Sequence, residues 1–286
     1  MRVACRWAAE GGSVCAVTRS VERVSAMRAS GIEPLVADIM VPETLKELPR
    51  ADTVLFAVGF DRTSGHSIRQ LYVDGLCNVL EHLPREVTRF IYVSSTGVYG
   101  QSGDVWVDER SPCEPTREGG RACWQAEQLL RSDRLGQQTI ILRMAGIYGP
   151  GRIPRRKELQ AGVPIEAPSD GYLNLIHVDD AASAVIATEQ QAVLPALYCV
   201  SDGHPVVREE YFRELAALLG APEPTFREPR RDAPAAQRAS ASKRVSNRRM
   251  VAELQFDLLY PSYREGLAAV VRAEDKHQAS RPSSRK

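Results

Sequence analysis

The residues best able to do chemistry fall in a few short runs. Three hydroxyls, Ser94, Ser95 and Thr96, close the apolar run RFIYVS (89–94), and Tyr99 follows them. A lone histidine, His177, stands just ahead of Asp179 and Asp180. A single imidazole in such a setting reads first as a structural side chain and only second as a base. Basic clusters occur at Arg152–Lys157 (RIPRRK), Arg227–Arg231 and Lys243–Arg249. They could meet phosphate groups, although loop charge is more simply a solvated surface. Six cysteines (Cys5, Cys15, Cys77, Cys113, Cys123 and Cys199) are scattered, with no CxxC and no metal-ligand spacing, so no metal is expected. Several lie in apolar contexts, where a thiol behaves as a small hydrophobe. That pattern points to a reducing compartment rather than a disulfide framework.

Composition narrows the function classes. The 286 residues are 43% hydrophobic and 26% charged, enough for one large domain or two small ones. Lys+Arg total 37 against Asp+Glu 36, a net charge of +1. No field of one sign is available to draw in nucleic acid or an anionic membrane. No apolar run approaches the roughly 18 residues of a membrane span, and MRVACRWAAEGG has no hydrophobic region followed by a cleavage site. The expectation is a cytoplasmic protein that binds neither nucleic acid nor a membrane.

Short β-rich runs alternating with amphipathic stretches must position these residues, the pattern of a parallel sheet covered on both faces. The spacing predicts a helix over 1–10 stopped by Gly11-Gly12, a strand at Ser13–Val17, and a helical stripe of Val21, Val24 and Met27 ended by Gly31. Strands follow at Pro34–Ala37, Thr53–Val58, Arg89–Ser94 and Thr139–Met144, with helices over about 67–83 and 119–131. After Tyr148 the rhythm changes to a Gly/Pro-rich segment and mixed elements. Residues 222–242 read as an irregular connection. The expected division is an α/β domain over 1–150, a mixed C-terminal region over 151–272, and a polar disordered tail over 273–286.

Four segments together resemble the extended short-chain dehydrogenase/reductases, the NAD-dependent epimerase/dehydratase-like proteins. They are YVSSTGVYG (92–100), ILRMAGIYGPGR (141–152), NLIHVDDAASAV (174–185) and YPSYREGL (260–267). The resemblance implies a doubly wound parallel sheet of Rossmann type, with 1–150 the dinucleotide-binding domain and 151–272 a smaller mixed C-terminal substrate region that partly returns to the sheet. It also implies a first strand and glycine-rich loop ahead of the first helix, and both are apparently missing. MRVACRWAAEGGSVCAVTRS would sit naturally behind them, which reads Met1 as an internal methionine or a misplaced start.

The same resemblance assigns a site. Arg19, past the second strand of the family pattern, suits a 2′-phosphate and favours NADP(H) over NAD(H). Asp38 and Ile39 match positions that flank the adenine. Ala57, Val58 and Gly59 match the small-residue segment under the cofactor, and Ser94, Met144 and Ile147 complete the binding set. Ser95 and Thr96 match the catalytic hydroxyls. The family then places a Tyr as acid/base and a Lys that lowers its pKa on the next helix. Aligning on Glu127-Gln128-Leu129-Leu130 puts Gly119 and Cys123 there instead. Glu118, Arg121 and Cys123 are weak stand-ins, and Tyr99 and Tyr148 read as packing. Whether the chain is an enzyme is therefore open. One reading is an NADP(H)-dependent reductase or epimerase-like oxidoreductase acting on a small carbonyl or nucleotide-sugar-like substrate. The other is a non-catalytic NADP(H)-binding sensor or scaffold. Analogy with the family also suggests a homodimer.

Overall fold

The computed structural model describes residues 1–229 and 242–279. Two compact units make up the chain. The first comprises Met1–Val98, Pro115–Arg143 and Ala182–Tyr198, and the second Tyr99–Glu114, Met144–Ala181 and Cys199–Lys286.

The fold is the expected doubly wound α/β arrangement of parallel strands and covering helices. Helix α1 (Arg2–Ala9) leads into β1 (Cys15–Thr18), α2 (Val24–Ala29) and β2 (Glu33–Val36). Then come β3 (Thr53–Phe56), α3 (Gly75–His82), β4 (Arg89–Ser95), α4 (Glu118–Ser132), β5 (Thr139–Met144), α5 (Val178–Gln191) and β6 (Ala196–Val200). These six strands fall into two of the sheets. β1 pairs with β2 alone, with Cys15 opposite Glu33 and Thr18 opposite Val36. The larger sheet has the order β6-β5-β4-β3. Every residue of β5 is buried, and Phe90, Ile91 and Tyr92 of β4 are nearly so. A strand covered on both faces reads largely as an apolar run, as 90–92 and 140–142 do, with Arg143 the buried charge that needs a partner. Beneath them, Leu45, Phe56, Leu76, Phe90, Ala126 and Leu130 form the core.

The small sheet is covered less: Cys15 is exposed, and Val17 and Val36 are 44% and 45% exposed. α1 has no buried residue and is held by polar contacts. Arg6 Nη1 donates to Ser183 Oγ (2.7 Å), and Trp7 Nε1 donates to Glu189 Oε2 (2.9 Å).

The helix expected over 67–83 runs from 68 to 82, with a π-turn at Gln70–Asp74 inside it just ahead of α3. Gly75 lies against another element, since a Cβ there would stand 2.6 Å from Ile39 Cδ1.

The second unit has its own core of Tyr148, Leu175, Tyr211, Phe212, Leu215 and Leu267, served by α6 (Arg208–Leu219) and α7 (Tyr263–Ala279). α7 is helical through 273–279, where the sequence predicts a polar tail. Glu274 anchors that turn by accepting from Gly151 N (2.9 Å) and from Arg156. Residues 280–286 of the expected tail, and 230–241 of the expected irregular connection, lie outside the described residues. No helix among the described residues is long and apolar enough to cross a membrane.

Candidate functional site

In a doubly wound fold, ligands lie beyond the carboxyl ends of the strands, where one strand gives way to the next helix. Arg19 follows β1 at that end, and Asp38 and Ile39 follow β2. The guanidinium of Arg19 is half-exposed and donates from Nη2 to Asp61 Oδ2 at 2.8 Å. Asp38 turns its carboxylate back on its own loop, where Oδ1 accepts from Met40 N at 2.9 Å. Ile39 points onto Gly75, and its carbonyl accepts from Asn78 Nδ2 (2.8 Å). Ala57, Val58 and Gly59 extend past β3, and a Cβ on Gly59 would meet no atom within 4 Å. Open space over a glycine at this end is what a dinucleotide needs to approach the backbone closely.

At the end of β4 the two serines divide. Ser94 is 4% exposed and donates to Glu127 Oε1 at 2.6 Å. Glu127, on α4 and fully buried, is gripped in turn by Arg143 through Nη2 to Oε2 (2.6 Å) and Nε to Oε1 (3.1 Å). A buried charge persists only when paired and hydrogen-bonded in this way. Arg143 also lies 5.8 Å from the Trp124 ring centroid. Ser95 and Thr96 are half-buried, and Ser95 Oγ accepts from Gly97 N at 3.0 Å. That bond leaves the Ser95 proton available to an outside acceptor.

The start of α4 seats directly on this turn. A Cβ on Gly120 would lie 2.1 Å from the Gly97 carbonyl oxygen, so backbone meets backbone there. A Cβ on Gly119 would stand 3.2 Å from Ile68 Cδ1, which places an apolar side chain beside the position where the resemblance expects Tyr. Cys123 is 4% exposed, and its thiol is pushed up to about 12 by burial and then by Glu127, with Tyr92 and Ser94 only partly opposing. It is a neutral thiol near pH 7 and cannot act as a nucleophilic thiolate. Arg121 donates to the Thr116 carbonyl (3.0 Å). Arg117 was not singled out by its sequence context. A Cβ on Gly97 would lie 3.6 Å from Arg117 Nη2 and 3.3 Å from Ser95 Oγ, so a cation stands beside the hydroxyl turn.

The remaining candidates lie in the second unit. Met144 is 5% exposed, and Ile147 sits in the short strand Gly146–Tyr148, opposite Ile176. Tyr99 is buried and donates to the Asp108 carbonyl (2.7 Å). Tyr148 packs against Gly266 and edge-on to His177 (5.3 Å between centroids), and burial raises its hydroxyl far above the usual phenol range. His177 Nδ1 accepts from Asp179 N (3.2 Å), and its ring lies 4.0 Å from that of Tyr260. Within the basic cluster, Arg155 pairs with Glu158 (3.0 Å) and Arg156 with Glu274. Among the described residues no group of acidic, His or Cys side chains could hold a metal.

Comparison with known proteins agrees with this architecture. Over 269 residues the chain is 28% identical to protein YeeZ of Escherichia coli K12, covering 91% of this chain and 92% of that one. A proposed NAD-dependent epimerase/dehydratase from Methylobacillus flagellatus superposes with a TM-score of 0.77 at 30% identity, over 96% and 94% of the two chains. The UDP-glucose 4-epimerase of Thermotoga maritima, solved with UDP-glucose, shares the fold at 18% identity and a TM-score of 0.79, over 96% and 95%. Residues 2–195 match the profile of the NAD dependent epimerase/dehydratase family. Taken with the parallel sheets and the hydroxyl turn at the end of β4, that match makes the chain a member of the NAD-dependent epimerase/dehydratase family.

Proposed function

We propose that the protein is an NADP(H)-dependent reductase or epimerase-like oxidoreductase for a small carbonyl or nucleotide-sugar-like substrate, working in the cytoplasm without the Tyr/Lys pair. The observation that carries the reading is the division of labour between Ser94 and Ser95. Ser94 is locked inward on Glu127, while Ser95 keeps a donor proton at the carboxyl end of β4. Ser95, seconded by Thr96, polarises the substrate carbonyl, and Arg117 adds positive potential beside it.

Arg19 binds the 2′-phosphate of the cofactor, Asp38 and Ile39 border the adenine, and Ala57, Val58 and Gly59 line the floor. Met144 and Ile147 complete the binding set. The bound nicotinamide supplies the hydride. Water supplies the proton, because Gly119 has no side chain and the buried Cys123 thiol, pushed up to about 12, is too weak an acid to give its proton readily. Loss of a positioned acid lowers rate by about 10²–10⁴, so slow turnover is expected, resting mainly on proximity.

A second reading, a non-catalytic NADP(H) sensor, is favoured by Ile68 beside Gly119. NADPH turnover against a panel of small carbonyls and nucleotide sugars separates the two. Turnover that falls in Ser95→Ala supports the enzyme, and dinucleotide binding with no turnover on any substrate supports the sensor.

A further inference from the structure

We infer that Asp61 sets the cofactor selectivity of this site by competing with the 2′-phosphate for Arg19. The inference rests on the reading of Arg19 as the group that meets the 2′-phosphate. Arg19 stands at the end of β1 and Asp61 in the loop after β3, two strands that belong to different sheets. Their side chains meet at 2.8 Å across the carboxyl ends of those strands.

The carboxylate is the fixed partner. Asp61 Oδ1 accepts from Thr63 N (2.9 Å) and Thr63 Oγ1 (2.6 Å), while Ser64 N and Oγ return to the Asp61 carbonyl (3.2 and 2.7 Å). This turn leaves Oδ2 aimed at Arg19. The two Thr63 bonds and then Arg19 hold the Asp61 carboxyl down at about 2, so it is charged at any physiological pH.

The arginine is the movable partner, on a flexible stem and bound through one nitrogen. Its side chain is 47% exposed and that of Asp61 39%. Such an exposed pair contributes little to stability, whereas a guanidinium meeting a phosphate gains two parallel charge-assisted bonds. A 2′-phosphate can therefore draw Arg19 away, but it must break this pair and stand near a fixed negative charge. A cofactor with a free 2′-hydroxyl leaves the pair closed. Asp61 thus narrows the preference for NADP(H) that Arg19 creates.

The test is a titration of wild type, Asp61→Asn, Arg19→Gln and the double variant with NADPH and NADH, followed by nicotinamide fluorescence. Adenosine 2′,5′-bisphosphate and AMP serve as competing probes. Asn keeps the Thr63 turn, and Asp61→Ser is the second variant should Asn fold poorly. Asp61→Asn is expected to tighten NADPH about tenfold while leaving NADH within about twofold. In the Arg19→Gln background that gain should vanish. If Arg19→Gln weakens NADPH selectively but Asp61→Asn changes nothing, or changes both cofactors alike, Asp61 has no such role and the NADP(H) reading survives. If Arg19→Gln leaves the NADPH-to-NADH ratio unchanged, or neither dinucleotide binds, both fall together.

Discussion

Gly120 and Gly97 touch through their backbones: a methyl group on Gly120 would stand 2.1 Å from the Gly97 carbonyl oxygen and 2.8 Å from its carbon. The obstacle is main chain, which cannot rotate aside. Gly120→Ala should therefore destabilise by about 1–3 kcal/mol, lowering the urea midpoint. It should also push the Ser95–Thr96 turn off α4 and weaken dinucleotide binding. A variant with wild-type stability and affinity would show that α4 does not seat the turn.

The buried Glu127–Arg143 pair makes a sharper prediction. Glu127→Leu alone leaves a guanidinium that is 2% exposed without its carboxylate, a loss of about 3–5 kcal/mol. Glu127→Leu combined with Arg143→Met should recover most of that loss, because an apolar pair of similar volume needs no compensation. Chemical unfolding of both single variants and the double variant measures the coupling. Simple additivity would contradict the pairing.

Asp202 links stability to pH. Burial, opposed by the His204 N–H and then by the His204 charge, pushes its carboxyl up to about 7, against about 3.9 for an unfolded Asp. The folded state therefore holds a proton that the unfolded state has released between those values. The stabilisation is complete below about pH 4 and is lost as pH rises through about 7. Its size is on the order of a few kcal/mol. Asp202→Asn, which keeps an acceptor for His204 N (2.9 Å), should flatten this fall. Urea midpoints at pH 5 and pH 8 for both proteins check it, and equal slopes would refute the assignment.

The cysteines should label in two classes. Cys5 and Cys15 are exposed, whereas Cys123 and Cys199 are buried. Brief alkylation of the native protein at pH 8, read by peptide mass spectrometry, should modify Cys5 and Cys15 and spare Cys123 until denaturant is added. Cys123→Ser should change turnover by less than about threefold. A larger loss would restore the thiol to the reaction.

Much of the fold was legible because it rests on local pattern. Apolar runs with turn residues between them marked the strands, so the predicted bounds of Thr139–Met144 match β5 and the helix over 119–131 matches α4 within a residue at each end. The π-turn at 70–74 was not legible, since an extra residue within one turn leaves the apolar pattern of 67–83 helical throughout. The site divides the same way. The hydroxyl run at 94–96 announces itself, but which serine turns inward depends on Glu127 and Arg143, far along the chain. Glu127 lies in an ordinary polar helix sequence, and nothing local says that it is fully buried. Arg19 was legible from its place in the family pattern, but its partner Asp61 is an unremarkable loop charge until folding brings the ends of β1 and β3 together.

The division of the strands into two sheets has a consequence for how the molecule breathes. β1 shares its ladder with β2 alone, and β3 closes the other sheet. Among the described residues no backbone ladder ties the ribbon carrying Arg19 to the one carrying the hydroxyl turn. The ribbon can fray while the four-stranded sheet stays intact, and its amide protons should exchange with solvent well ahead of those in β5. On the proposed reading, the ribbon expected to meet the adenosine opens first and the sheet that ends in Ser95 opens last.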